Sequence, residues 1–224
     1  MNTKKYGPFL VALLIIAPFV YGALIFPHLP NKIPTHFNIE GKADAWGGPS
    51  SIFIGPGIMG AVSVFVYVLM SNLKSFDPKK YDEANDTLYS NFAVLTVAFL
   101  SMLSLIIIYS STHADQINVG KLILPLVGLS FAGLGWYMPK FKQNYFVGFK
   151  LPWTLENVDN WNETHKVASK YWIYGGLFQA AVTFVLPMKF GFIGFMLATA
   201  VMVIIPAVFS YRMFKNGNQI NHTN

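Results

Sequence analysis

The sequence predicts an all-α polytopic membrane protein: a six-transmembrane-helix bundle with an ordered external loop containing a short strand, and a structured cytoplasmic loop. Three observations carry that expectation. First, 54% of the 224 residues are hydrophobic and only 12% are charged, against about 25% charged in soluble domains. Second, six apolar stretches, near 8–26, 51–71, 91–111, 120–138, 171–187 and 190–210, approach the ~20 residues that cross a ~30 Å hydrocarbon core at ~1.5 Å each. Third, the basic residues collect on one side of that topology. With six spans the termini share a side, which holds 12 of the 16 Lys and Arg, leaving Lys32, Lys42, Lys121 and Lys189 opposite. The positive-inside bias then makes both termini cytoplasmic.

The first span follows Lys4 and Lys5 but exceeds the usual h-region length and lacks a small-residue cleavage site, so it is expected to be retained. The organisation falls into 1–71 (two spans and the external loop 27–50), 72–138 (a cytoplasmic amphipathic segment and two spans) and 139–224 (the inner loop and two spans). No cysteine is present, so disulfides, thiolate nucleophiles and Cys-ligated metals are excluded. The net charge of +6 is scattered at the ends of apolar runs and forms no stripe, which argues against direct nucleic-acid binding.

Within the spans, Gly57/Ala61, Gly128/Ala132 and Gly194/Ala198 have the small-xxx-small spacing that lets helices approach closely. Pro18, Pro56, Pro125 and Pro206 free backbone carbonyls that neighbouring helices or water must satisfy. No ionisable residue lies deep in a span, which weighs against an ion-coupled transporter. Gln179, the strongest polar group at depth, is expected to bond a neighbouring helix.

The external loop begins extended because Pro30 and Pro34 restrict Leu29 and Ile33. From Thr35 to Glu40 the pattern has period two, placing His36, Asn38 and Glu40 on one face of a short strand and Phe37 and Ile39 on the other. Gly41 offers a turn, and Trp46 stands where an interfacial aromatic would anchor the second span. Imidazole and carboxylate at His28, His36, Glu40, Asp44, His113 and Asp115 could converge on a metal. Their spacing matches no ligand motif, so the expectation is no metal and no cofactor. Beyond the second span, Asp77 as N-cap and Pro78 at the first position predict a short amphipathic helix using Tyr81, Ala84 and Leu88.

The inner loop, Asn144 to His165, is longer and more aromatic than a connector needs. Gly148 permits a left-handed turn and Pro152 stiffens the chain. Asn160 and Glu163 have capping-box spacing, predicting a helix from about Trp161 into the fifth span, with Trp161, His165, Ala168 and Trp172 on one face. The run Asn144-Tyr145, Gly148, Pro152-Trp153-Thr154-Leu155, Asn157, Trp161 and Thr164-His165 resembles the signature of the SdpI family of bacterial membrane immunity proteins. The external run Leu29-Pro30, Ile33-Pro34, His36-Phe37-Asn38, Gly41, Asp44 and Trp46-Gly47 resembles the small domain of unknown function that often precedes it.

The resemblance implies protection from a secreted antimicrobial peptide of the sporulation-delaying type. In the family's best-known system it also implies recruitment of a winged-helix repressor to the membrane. On this basis His36, Asn38, Glu40, Asp44 and Trp46 are toxin-binding candidates. Asn144, Tyr145, Lys150, Pro152, Trp153, Thr154, Asn157, Trp161 and His165 are candidates for a cytoplasmic partner, with membrane lipids as the remaining partner. Lys150-Leu151 replaces the family's common Arg-Thr before Pro-Trp, exchanging a planar fork for a point charge. Interfacial anchoring is the other reading of Trp153, Trp161 and Trp172. A metal-dependent membrane enzyme using external His and carboxylate residues is the alternative function, although HExxH and GxSxG are absent. A peptide exporter would need a phosphate-binding loop or a membrane carboxylate that the sequence lacks.

Overall fold

The computed structural model describes residues 3–76, 86–113 and 116–221. Asp77, Pro78, Tyr81 and Ala84 of the predicted amphipathic helix, and Asp115, lie outside the described residues, while its Leu88 falls in the helix that starts at Asp86. The elements in order are α1 (Thr3–Ile25), a 3-10 turn (Phe26–His28), β1 (Ile33–Phe37), β2 (Ala43–Gly47), a second 3-10 turn (Pro49–Phe53), α2 (Ile54–Ser71), α3 (Leu73–Phe76), α4 (Asp86–Thr112), α5 (Gly120–Tyr137), a third 3-10 turn (Met138–Lys140), α6 (Pro152–Glu156), α7 (Val158–Val185) and α8 (Met188–Asn221). Large apolar side chains such as Leu13, Phe65, Leu197 and Ile204 point outward along the long helices, as expected where the solvent is lipid. This is a multi-pass membrane protein.

Among the described residues five helices are long and apolar enough to cross a bilayer: Gly7–His28, Pro49–Ser71, Asp86–Thr112, Gly120–Lys140 and Met188–Asn216. The expected fifth span of six does not qualify by composition. It is the second half of α7, whose first half carries Asp159, Glu163, Lys166 and Lys170. The apolar remainder from Tyr171 to Val185 extends only about 22 Å at helical rise, short of a ~30 Å core.

The chain divides into two compact units, Met1–Pro78 with Asp82–Ile123, and Lys79–Tyr81 with Leu124–Asn224. In the first, α4 packs against both α1 and α2 around Val11, Val94 and Val97. Pro18 cannot donate to Leu14 O, and the hydroxyl of Ser101 on α4 donates to that carbonyl at 2.6 Å instead. The small pair expected at Gly57 makes no close approach, because a Cβ there would meet nothing within 4 Å. The face of α2 turned to α1 is Gly60, where a Cβ would sit 3.6 Å from Ile15 and Phe19.

In the second unit α7 and α8 form a helical hairpin about Leu186 and Pro187. Gly128 of α5 does make a close crossing: a Cβ there would lie 2.7 Å from Ala180 N on α7. Gly135, about two turns later, is equally tight, 2.7 Å from Ile173 N. Gln179 is fully buried and donates to Phe195 O at 3.0 Å and Thr199 Oγ1 at 2.7 Å on α8, as a helix-bonding amide should. Pro206 frees Met202 O, and the indole N–H of Trp172 donates to it at 3.0 Å.

Candidate functional site

The inner loop is held by its own polar side chains. Asn144 is buried; its Oδ1 accepts from Phe146 N and Val147 N, both at 2.8 Å, and its Nδ2 donates to Lys142 O at 2.8 Å and Val147 O at 3.2 Å. One amide thus satisfies four backbone groups that no helix or strand serves. Gly148 follows with φ +116°, a conformation that favours glycine, and a Cβ there would run into His165.

Pro152 opens α6, and Thr154, fully buried, works as its cap. The Thr154 hydroxyl accepts from Leu151 N at 2.9 Å and donates to Phe149 O at 2.6 Å, while Gln143 Nε2 donates to Thr154 O at 2.7 Å. Asn157 ends α6 and caps α7, its Oδ1 accepting from Asn160 N at 2.8 Å. The expected capping box on Asn160 and Glu163 is therefore displaced three residues upstream. Asn160 is turned inward: Nδ2 donates to Ser210 O at 2.9 Å, and Oδ1 accepts from Ser210 Oγ at 2.6 Å and Thr164 Oγ1 at 3.0 Å. Glu163 pairs instead with Lys166 at 2.6 Å.

Trp161 has no exposed surface, donates from Nε1 to Phe141 O at 2.9 Å, and stacks on His165 with centroids 4.1 Å apart. His165 bridges loop and helix. Its Nδ1 donates to Trp161 O at 2.7 Å, which leaves Nε2 to accept from Phe149 N at 3.0 Å. Those partners require the neutral ring, and burial pushes its pKa below the usual value of 6.5, opposed in part by the Trp161 carbonyl. Trp153 reaches α8, donating to Ser210 Oγ at 2.7 Å and lying against Tyr211 and Phe214.

Of the inner-loop candidates, Asn144, Thr154, Trp161 and His165 are thus interior, and Trp153 is half-buried against α8. Tyr145, Lys150, Pro152 and Asn157 face outward. Ser210, Gln143 and Phe141 escaped the sequence reading. Ser210 carried one faint signal, a hydroxyl inside an otherwise apolar run.

Two stretches of the chain match known protein families. Residues 140–211 match the SdpI/YfhL protein family. The match to that family is confined to this C-terminal region. It encloses the hydrogen-bond network from Phe141 to Ser210 just described. Residues 13–60 match a domain of unknown function, DUF1648, which takes in most of α1, the β-hairpin and the start of α2. Over 172 residues the chain is 24% identical to Immunity protein SdpI of Bacillus subtilis (strain 168), a match covering 77% of this chain and 79% of that one. No solved structure matches.

The DUF1648 region supplies the second candidate surface. The expected strand Thr35–Glu40 is instead Ile33–Phe37, paired antiparallel with Ala43–Gly47. It stops at Phe37 because the Asn38 side chain takes over, accepting from Glu40 N at 2.9 Å and Lys42 N at 3.1 Å across a turn with Gly41 at φ +75°. Ile33 is buried with Ile52 and Ile108, which seats the hairpin on α4, and Asn118 Nδ2 donates to Glu40 O at 2.7 Å.

His36, Asn38, Glu40, Asp44 and Trp46 are all exposed, with Trp46 opposite Pro34 across the ladder. The His36 ring nitrogen Nδ1 donates to Asp44 Oδ1 at 2.5 Å, and Lys42 pairs with Glu40 at 3.3 Å. His113 is engaged elsewhere, donating from Nδ1 to Tyr109 O at 3.0 Å and stacking on the Tyr109 ring, and His28 is exposed in the first 3-10 turn. Among the described residues no group of three or more His, Asp or Glu gathers.

Proposed function

We propose that this chain is an immunity protein of the bacterial membrane, protecting the cell that carries it from a secreted antimicrobial peptide of the sporulation-delaying type. The observation that carries the reading is the similarity to Immunity protein SdpI along 77% of the chain, with a DUF1648 region and an SdpI/YfhL region in order. In this reading α7 crosses as the return limb of its hairpin with α8, both termini are cytoplasmic, and the β-hairpin is external. The Lys and Arg bias supports that orientation.

The hairpin then meets the toxin through His36, Asn38, Glu40, Asp44 and Trp46. A hydrogen-bonded His–Asp pair beside an exposed indole offers a peptide both polar and apolar contacts. On the other side Tyr145, Lys150, Pro152 and Asn157 form the face for a cytoplasmic partner of the winged-helix repressor kind, while Asn144, Thr154, Trp161 and His165 hold that face in shape.

The test is survival of a toxin-sensitive Gram-positive strain expressing the chain, with His36→Ala and Lys150→Ala beside it at matched membrane levels. Protection by the unmodified chain and by Lys150→Ala, with loss in His36→Ala, is expected. Absence of protection by the unmodified chain against any such peptide refutes the immunity reading, and full protection by His36→Ala refutes the hairpin assignment.

A further inference from the structure

Between α7 and α8 lies an open groove of about 640 Å³, within the range of small-molecule sites. Gly175, Gly194 and Ala198 line it with little side chain of their own, Met202 packing over Gly175 and Val182 over Gly194, and Tyr174 and Val201 complete the lining. Its lining is apolar except at one end, where Lys170 stands exposed. Lys166, one turn earlier, is already paired with Glu163. Lys170 has no ion pair among the described residues. A lone cation capping an apolar channel has the polarity of an amphiphile turned inside out.

The dimensions agree with one lipid chain. From Lys170 to Phe178, both lining the groove, the helix rises about 12 Å, and half of the hydrocarbon core is about 15 Å. We propose that this groove is a binding site for one anionic phospholipid, its acyl chain along Gly175, Gly194 and Ala198 and its phosphate at Lys170. A zwitterionic lipid fits the channel equally well but places a second cation near the ammonium, so the headgroup preference comes from Lys170. A lysine near a membrane surface is worth about five-fold in binding of an anionic headgroup.

Native mass spectrometry of the full chain in detergent, titrated with dioleoyl phosphatidylglycerol or dioleoyl phosphatidylcholine, tests this. The unmodified chain should retain one phosphatidylglycerol with about five-fold preference over phosphatidylcholine. Lys170→Gln should abolish the preference and leave phosphatidylcholine retention unchanged, while Lys189→Gln should keep the preference. Ala198→Phe, which fills the channel, should lose that lipid of either kind. Equal retention of the two lipids by the unmodified chain, or a preference surviving Lys170→Gln, overturns the proposal. So does a lipid-free dimer that Ala198→Phe splits, which would give the groove to a second copy of the chain.

Discussion

Acid should open the inner loop through His165. With Nδ1 donating to Trp161 O and Nε2 accepting from Phe149 N, a second proton turns the latter bond into two opposed N–H groups. The Trp161 and Phe149 rings and the Gly148 backbone lie against the ring, and no carboxylate touches the imidazole among the described residues. Because burial holds the folded pKa below 6.5, the opened loop binds a proton more readily than the closed one. The closed form therefore keeps its full stability above about pH 6.5 and loses about 1.4 kcal/mol, a factor of ten, for each pH unit below it until the folded ring itself titrates.

Amide exchange of Phe149 in the full chain, held in lipid nanodiscs and corrected for the intrinsic pH dependence of exchange, measures this directly. Its protection factor should be level from pH 8 to about 6.5 and then fall by up to about ten-fold per unit. His165→Gln, which offers a carbonyl oxygen to Phe149 and an N–H to Trp161 without titrating, should keep the protection level. A protection factor in the unmodified chain that is unchanged between neutral pH and 5, or a slope of equal size in His165→Gln, refutes the reasoning.

Removing the Trp172 donor should expose the carbonyl that Pro206 frees: Trp172→Phe is expected to cost about 1–3 kcal/mol in detergent unfolding. Pro206→Ala should recover part of that loss, because it restores a backbone N–H for Met202 O. Asn160→Leu strands the Ser210 groups and Thr164 in a buried site, so a comparable loss is expected, with Trp153 fluorescence shifting as its Ser210 anchor loosens. Gly128→Leu should prevent folding of the second unit, whereas Gly57→Leu, with nothing within 4 Å of its Cβ position, should leave the melting temperature within about 2 °C.

The apolar runs were legible because lipid demands length and hydrophobicity from each segment by itself. What escaped depended on distant residues. Asn157 and Asn160 are equally good N-caps locally, and the choice between them is made by Ser210, fifty positions later, which needs the Asn160 amide. β2 went unpredicted because Ala43–Gly47 has no alternation to read; its exposed positions run consecutively through Asp44, Ala45 and Trp46. The aromatic face of α7 was legible from spacing, and it does turn inward at Trp161, His165 and Ala168. The burial of Asn144 and Thr154 was not, since polar residues in a loop look the same whether they face water or staple the backbone.

Pro18 and Pro206 bear on how this protein can move. A proline in a membrane helix usually acts as a joint, since the carbonyl it releases has no fixed partner. Here each released carbonyl is claimed across a helix interface, by Ser101 for Leu14 and by Trp172 for Met202. Flexing either joint would strip a carbonyl of this side-chain donor in a medium with no water to replace it, at a cost of several kcal/mol. Mechanically α1 and α8 are braced struts, and any working motion within a unit has to carry the brace along with the helix.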